Sequence, residues 1–196
     1  IYYATGGSFW KNNDNWLVIS QSSDYGCSWY GVFCSNDGVV TGLGLMNNNL
    51  VGTLPNEIME LKSLEILALH ENSLSGDIVQ VSKLQGLQFF YLHNNKFSRS
   101  IPTWIGMMPK LQELTLSGNF FTGSVPEEIY NQCIYLRVLW LHNNKLTGSI
   151  SRNIGNLIRM TEMYFDNNAL TGILPETIGQ LTRLKHLSTE NNKFLG

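Results

Sequence analysis

Apolar positions recur with a fixed, long period along nearly the whole chain. The pattern L-x-x-L-x-L-x-x-N-x-L occurs seven times, with Val, Met, Phe or Thr sometimes in place of leucine. Its successive asparagines are 24, 23, 24, 25, 24 and 24 residues apart. A period between about 20 and 50 residues predicts a solenoid in which each repeat forms one coil. The asparagines are Asn48, Asn72, Asn95, Asn119, Asn144, Asn168 and Asn192.

The first half of each repeat predicts a short strand. Leu67 and Leu69 flank Ala68, which gives the period of two of a strand with one buried face. Stacked coils would place these strands side by side in a parallel sheet, about 4.8 Å apart. We expect the asparagine at the following inward turn, in a ladder whose amides pair with backbone groups. Leaving such groups unpaired would cost roughly 1–3 kcal/mol per repeat.

The second half of each repeat predicts a tight bend and then a short helical turn. The bend carries the motif x-L-x-G-x-[IVL]-P, in which glycine supplies backbone freedom. Arg99 takes the glycine position in the third repeat, and Val79 and Ser151 replace the proline in two others. Segments such as 57–61 and 154–157 are expected to form helical turns on the convex side. The glycines are Gly52, Gly76, Gly123, Gly148 and Gly172.

These motifs together resemble the plant-type class of leucine-rich repeats. The segment Cys27-Ser28-Trp29-Tyr30-Gly31-Val32-Phe33-Cys34 is similar to the N-terminal cap of that class. Similar caps open polygalacturonase-inhibiting proteins, receptor-like-kinase ectodomains and related algal proteins, including those of diatoms. The resemblance implies an α/β fold: a right-handed leucine-rich-repeat solenoid with a parallel concave β-sheet, seven plant-type repeats and a disulfide-stapled cap. The other cap residues that carry it are Trp10, Asn13, Asp14, Trp16 and Leu17.

The same features predict the domain organisation. Residues 1–39 are assigned to the N-terminal cap, partial at its start. Residues 40–196 are assigned to the seven repeats, with the last one truncated and the C-terminal cap absent.

The cysteines bear on the cellular compartment. The spacing of Cys27 and Cys34 fits a local disulfide worth about 2–3 kcal/mol, with free thiols as the alternative. A disulfide indicates an oxidising compartment, either secreted or on the extracellular side of a membrane. No Asn-x-Ser/Thr sequon occurs, which gives weight to an organelle lumen such as the thylakoid lumen. Cys133 has no partner and is interpreted as a packed thiol on the convex side, with a redox or intermolecular role as the alternative.

Charge and motifs exclude several function classes. The chain has 13 basic and 15 acidic residues, a net charge of −2, and no block of either sign. This argues against a nucleic-acid partner and against a polybasic membrane patch. The chain has no run of about 18 apolar residues, so no membrane insertion of these residues is predicted. No catalytic motif is present, so neither enzymatic activity nor a cofactor is predicted.

Large aromatic side chains fall on the solvent-facing side of the predicted strands. The central column of this concave face is Gly44, Ala68, Tyr91, Thr115, Trp140, Tyr164 and Ser188. Exposed aromatic residues on a sheet are typical of interfaces, although rings that merely pack across strands are the alternative. The predicted partner-binding residues are Phe89, Tyr91, His93, Trp140, His142, Tyr164 and Asp166.

The next column contains three of the four histidines, His70, His93 and His142. A metal site or a pH-responsive contact is one interpretation of this line, because His70 and His93 lie on neighbouring strands. Ordinary solvent-facing histidines are the favoured interpretation, and no metal site is predicted. Acidic residues outnumber Arg137 and Lys185 on this face, which favours a basic or polar partner.

These observations predict a non-enzymatic recognition module that binds another protein or a peptide on its concave face. One alternative is a structural or accessory subunit of a larger complex in an oxidising lumen. A second alternative, resting on the resemblance alone, is an inhibitor of a cell-wall-degrading enzyme.

Overall fold

The computed structural model describes residues 1–18 and 26–195 of the chain. Strands β1 to β15 span Val32–Cys34, Val40–Gly44, Val51–Thr53, Ile66–Ala68, Ser73–Gly76, Phe89–Tyr91, Lys96–Ser100, Glu113–Thr115, Phe120–Gly123, Val138–Trp140, Lys145–Leu146, Glu162–Tyr164, Thr171–Gly172, His186–Ser188 and Lys193–Phe194. Helix α1 spans Glu127–Gln132, and 3-10 helices span Tyr3–Thr5, Gly7–Phe9, Asn56–Glu60, Val79–Lys83, Thr103–Met107, Arg152–Asn156 and Glu176–Gln180.

One strand from each repeat enters a single concave sheet. Its order is β1-β2-β4-β6-β8-β10-β12-β14, with parallel pairing from β2 onward. Corresponding residues of successive repeats are in register, so that Trp140 pairs with Thr115 on one side and Tyr164 on the other. The predicted parallel sheet of stacked repeats is therefore confirmed.

The segments that follow the asparagine in successive repeats form a second sheet, which the sequence patterns did not predict. It has five strands in the order β11-β9-β7-β5-β3, and β13 and β15 form a further pair. These strands come from the motif that was interpreted as a bend. Two to five residues carry too little periodicity to identify a strand, and their hydrogen bonds are supplied by the neighbouring coil.

Short helices cover the convex side, as predicted. Most are five-residue 3-10 helices, and α1 occupies the repeat with the 25-residue asparagine spacing.

Cys133 follows α1 and is 1% exposed, with its Sγ 3.5 Å from the carbonyl oxygen of Ile105. Burial raises the pKa of this thiol to about 12, so it is a packed, unreactive side chain. Within the described ranges no helix has the length and apolarity needed to cross a membrane.

The core consists of inward-facing leucines stacked from coil to coil. Leu67, Leu69 and their equivalents Leu114 and Leu116 are completely buried. A single coil cannot bury these side chains by itself, so stability depends on contact with the neighbouring coils.

The asparagines connect consecutive coils through their backbones. Asn119 Nδ2 donates to the carbonyl oxygens of Leu116 in its own coil and Leu92 in the preceding coil, at 3.1 and 3.0 Å. Its Oδ1 accepts from the backbone N–H of Phe97 at 2.9 Å. The predicted turn position and backbone pairing are confirmed. The ladder consists of amide-to-backbone hydrogen bonds repeated from coil to coil.

The N-terminal cap is attached to the first repeat by the same kind of hydrogen bond between an asparagine amide and the backbone. Asn48 Oδ1 accepts from the backbone N–H of Asn12 at 2.7 Å, and Asn48 Nδ2 donates to the Asn12 carbonyl at 2.8 Å. The rings of Trp10 and Trp16 pack edge to face, with centroids 5.0 Å apart. The predicted disulfide between Cys27 and Cys34 is present, with a Cα–Cα distance of 5.7 Å.

Replacing Asn119 by Ala should destabilise the protein by at least about 2 kcal/mol, because two backbone carbonyls and one N–H lose their partner in a buried turn. Urea unfolding followed by circular dichroism measures the change. The control is Asn156→Ala, an exposed asparagine on the convex side, which should change stability by less than about 0.5 kcal/mol. Equal effects of the two substitutions would contradict the role assigned to the buried amide.

Replacing Arg99 by Gly should stabilise the protein by about 0.5–1 kcal/mol. Arg99 has a φ of +77° at the position where other repeats have glycine, and its side chain is exposed. A non-glycine residue in this region costs about 1–2 kcal/mol, more than the entropy that glycine adds to the unfolded chain. The matched control is Arg152→Gly, in an exposed 3-10 helix, where the same change should destabilise. A loss of stability in Arg99→Gly, measured by urea unfolding, would refute the argument.

Candidate partner-binding surface

The concave face is formed by residues that alternate with the core along each strand. In β10, Leu139 is completely buried, whereas Val138 and Trp140 on either side are only half-buried. In β12, Met163 is buried, and Glu162 and Tyr164 lie on the concave side. All seven residues predicted to bind a partner are half-buried on this face. We refer to these seven residues as the concave patch.

Rings of the concave patch form a strip from β6 to β12 that is completed by His70, whose ring lies 6.1 Å from Tyr91 and 4.2 Å from His93. Trp140 lies between His93, at a centroid distance of 5.9 Å, and Tyr164, at 5.8 Å. His142 packs against Tyr164 at 5.7 Å, and Phe89 lies 6.3 Å from Tyr91. Trp140 therefore reaches across β8 to a residue two repeats away, which joins side chains that their strand positions alone would leave separate.

Small residues under the rings are buried, contrary to the prediction that the whole central column faces solvent. Ala68 and Thr115 are 4% and 3% exposed. Ser117, in the histidine column, is 3% exposed. At the other end, Gly44 is buried, and the Phe33 ring lies within 3.1 Å of the position that its Cβ would occupy. The physical reason is size: short side chains leave gaps into which large neighbouring rings fold.

Two glutamates hold the aromatic side chains in place. The Tyr91 hydroxyl donates to Glu113 Oε2 at 2.6 Å, and Arg137 contacts the other oxygen of Glu113 at 3.0 Å. Trp140 Nε1 donates to Glu162 Oε2 at 3.3 Å. Burial, together with the hydrogen bond to Glu113, raises the pKa of the Tyr91 hydroxyl. Tyr91 therefore remains a neutral hydrogen-bond donor.

Three of the histidines on this face, His70, His93 and His142, have imidazoles whose pKa lies below its usual value. Burial, followed by the nearby His70 and His142, lowers the pKa of His93 to about 4. Burial also lowers the pKa of His70 and of His142, against the opposing charges of Glu71 and Asp166, respectively. The neutral forms of these three imidazoles are therefore favoured, so they do little to offset the negative charge of the neighbouring carboxylates.

Sequence reasoning did not assign Glu113, Thr115 or Glu162 to the binding surface. All three line the depression between Tyr91 and Trp140, and a second depression lies between Trp140 and Asp166. Both glutamates occupy the first outward position of their strand, which is a detectable signal. The buried position of Thr115 depends on how the Trp140 ring lies, which the sequence pattern does not encode.

Comparison with known proteins agrees with this architecture. Residues 86–108, 110–132, 135–157 and 159–181 match the family model described as Leucine Rich Repeat. Pollen receptor-like kinase 2 of Arabidopsis thaliana is 35% identical to the chain over 127 residues, covering 52% of the chain and 20% of the relative. The chain thus spans about a fifth of the length of this relative.

Solved structures with this fold include two receptor ectodomains. The ectodomain of GASSHO1/SCHENGEN3 from Arabidopsis thaliana, in complex with CASPARIAN STRIP INTEGRITY FACTOR 2, has a TM-score of 0.75 and 37% identity, covering 78% of this chain and 18% of that chain. The Arabidopsis HAESA ectodomain, in complex with an IDA peptide hormone ligand, has a TM-score of 0.65 and 26% identity, covering 86% of this chain and 37% of that chain. A plant ice-binding protein has a TM-score of 0.85, covering 99% of this chain and 69% of that chain, but at 24% identity it shows the fold alone.

The chain therefore contains leucine-rich repeats, and the proteins it is similar to are plant receptor-like kinases and their ectodomains. The leucine-rich-repeat ectodomain fold is a non-enzymatic binding module, and both of these ectodomains have been solved in complex with a ligand. The disulfide of the cap fits an oxidising compartment such as the extracellular space.

Proposed function

We propose that the chain is an extracellular recognition module whose concave patch binds a peptide or protein segment carrying a basic side chain. The observation that carries this proposal is the strip of rings that runs from Tyr91 through His70, His93 and Trp140 to Tyr164, edged by carboxylates. The strip is only half-buried, so its remaining apolar area is available to a partner.

The shape of the surface favours an extended partner. The two depressions of the concave patch are shallow and open, and both include Trp140 as part of their lining. A closed cavity suits a small molecule, whereas a shallow surface with a central aromatic residue suits a polypeptide. Trp and Tyr bury a large area with few rotatable bonds, which limits the entropy lost on binding.

The charges favour a basic side chain in that partner. Glu162 accepts a hydrogen bond from the Trp140 indole, but neither ion pair among the described residues involves it. Glu113, by contrast, already pairs with Arg137. A lysine or arginine placed between Trp140 and Glu162 would gain both a cation–π contact and a carboxylate partner.

The solved relatives support a polypeptide partner and an extracellular location. Two ectodomains of the same fold have been solved with a ligand, GASSHO1/SCHENGEN3 with CASPARIAN STRIP INTEGRITY FACTOR 2 and HAESA with an IDA peptide hormone ligand. Extracellular exposure also agrees with a disulfide-bonded cap.

Selection from a random 12-residue peptide library against the 196-residue chain should enrich peptides that contain Arg or Lys next to an apolar residue. For the enriched peptides, Trp140→Ala should lower the affinity at least tenfold, about 1.4 kcal/mol, because the central aromatic surface is lost. Tyr164→Ala should also weaken binding. Fluorescence anisotropy with labelled peptides measures both effects.

The control for these substitutions is Tyr135→Ala. Tyr135 is 42% exposed and lies under the Arg159 guanidinium, outside the concave patch. Binding should be unchanged in this variant. Failure to enrich any peptide, or enriched peptides that bind Trp140→Ala as tightly as the unaltered chain, would reject the concave patch as the binding surface.

Replacing Glu162 by Gln should weaken basic peptides severalfold and flatten the salt dependence of their binding, since one carboxylate facing the ligand is removed. Anisotropy titrations at two salt concentrations measure both effects. Glu60→Gln is the matched control, because Glu60 is an exposed carboxylate in the 3-10 helix on the convex side. Equal salt dependence in the Glu162→Gln variant and the unaltered chain would show that Glu162 does not face the ligand.

A further inference from the structure

A compact group of metal-ligating side chains lies at the edge of the concave patch, with which it shares His93, at the boundary between the second and third repeats. The rings of His70 and His93 are stacked, with centroids 4.2 Å apart and an angle of 16° between their planes. Glu71 completes the group, and one ligand atom from each of the three residues lies within 4.8 Å of the others. We refer to His70, Glu71 and His93 as the His-Glu-His cluster.

The register of the sheet produces this cluster. β4 and β6 are parallel neighbours with Ala68 paired to Tyr91, so His70 and His93 occupy equivalent positions two residues further on. Glu71 donates its backbone N–H to the His93 carbonyl at 2.9 Å, which fixes its position relative to the third repeat. The position equivalent to Glu71 holds Asn47, Asn94, Gly118, Asn143, Asn167 and Asn191 in the other repeats. Glu71 therefore adds a charged ligand at a site where the other repeats have none.

Each imidazole has a ring nitrogen without a hydrogen-bond partner among the described residues, and this nitrogen can bind a metal ion. His93 Nδ1 lies 2.8 Å from Thr115 Oγ1, and when Nδ1–H donates to this hydroxyl, Nε2 carries the free lone pair. An outer partner of this kind orients metal-bound histidines in proteins. His70 Nδ1 is buried and, among the described residues, has no hydrogen-bond partner.

A four-coordinate ion requires the His70 and His93 rings to turn out of their stack, because an imidazole lone pair lies in the ring plane and stacked rings do not point both lone pairs at one ion. With Zn–N bonds of about 2.1 Å, two ligating nitrogens of a tetrahedral site lie about 3.4 Å apart. No distance between two ligand atoms has to shorten by more than the difference between 4.8 Å and about 3.4 Å. The exposed Glu71 side chain and the half-buried rings can move by this amount. Two imidazoles and one carboxylate suit Zn²⁺, and they also suit Ni²⁺ and Cu²⁺.

We propose that the His-Glu-His cluster binds one divalent transition-metal ion, with His70, His93 and Glu71 as ligands and Thr115 positioning the His93 ring. Three protein ligands leave one position of a tetrahedral ion for water or for a side chain of a partner. The proposal concerns the isolated chain and does not depend on peptide binding at the concave patch.

Isothermal titration of the untagged 196-residue chain with ZnCl₂ tests the site. One equivalent should bind, and His70→Ala and His93→Ala should each weaken the affinity at least about tenfold. Glu71→Gln should weaken it less. The matched controls are His186→Ala and Glu65→Gln: His186 is an exposed imidazole in β14, far along the same sheet, and Glu65 is an exposed carboxylate on the same face. Both controls should retain the affinity of the unaltered chain.

Two further measurements keep the test decisive if a variant folds poorly. In NMR spectra of the unaltered chain, Zn²⁺ should shift the imidazole resonances of His70 and His93 and leave those of His142 and His186 in place. Thr115→Val should weaken Zn²⁺ binding and Thr115→Ser should restore it at an unchanged melting temperature, which a purely structural role of Thr115 would not produce.

Absence of Zn²⁺ binding to the unaltered chain would overturn the proposal. Binding that persists in both His70→Ala and His93→Ala would overturn it too, as would resonance shifts centred on other histidines.

Discussion

The amide of one asparagine in each repeat is the interaction on which the rest of the molecule depends. Every coil turns inward after its concave strand, and this turn leaves backbone carbonyls and N–H groups without partners in a buried place. The asparagine pairs with groups of its own coil and of the preceding one, as Asn119 does with Leu116, Leu92 and Phe97. Because the same amide fixes the turn and connects the coils, the register of the sheet follows from it. The leucine core can then stack without offset.

This constraint explains how the concave patch is assembled. Once the coils are in register, side chains at equivalent positions form columns, and neighbouring strands present them at the short spacing of a parallel sheet. Trp140 and Tyr164 therefore meet as neighbours, and so do His70 and His93. The chemistry of this face is set by which repeats carry large residues and which carry small ones.

Much of this organisation could be predicted because the repeat is strongly periodic. The asparagine spacing identified the coils, the alternation around Ala68 identified the strands, and the cysteines of the cap indicated the disulfide. The second sheet was missed because its strands are very short and are defined by pairing between coils. The predicted solvent exposure of Thr115 was wrong because its exposure depends on the positions of the large side chains on the two neighbouring strands, Tyr91 and Trp140, which a column assignment does not give. The glutamates beside the rings lay on the predicted face, but their hydrogen bonds depend on side-chain geometry that a column assignment does not contain.

The direction of the first strand has a consequence for how such a chain can lengthen. β1 runs antiparallel to β2, whereas the strands from β2 onward pair in parallel. Its Phe33 ring also lies over Gly42 and Gly44, so that flank of β2 is already covered. A duplicated coil placed before β2 would have to displace both the reversed strand and its ring. Duplication among the later coils only has to reproduce an existing parallel junction, so evolutionary growth of this solenoid is easier away from its cap.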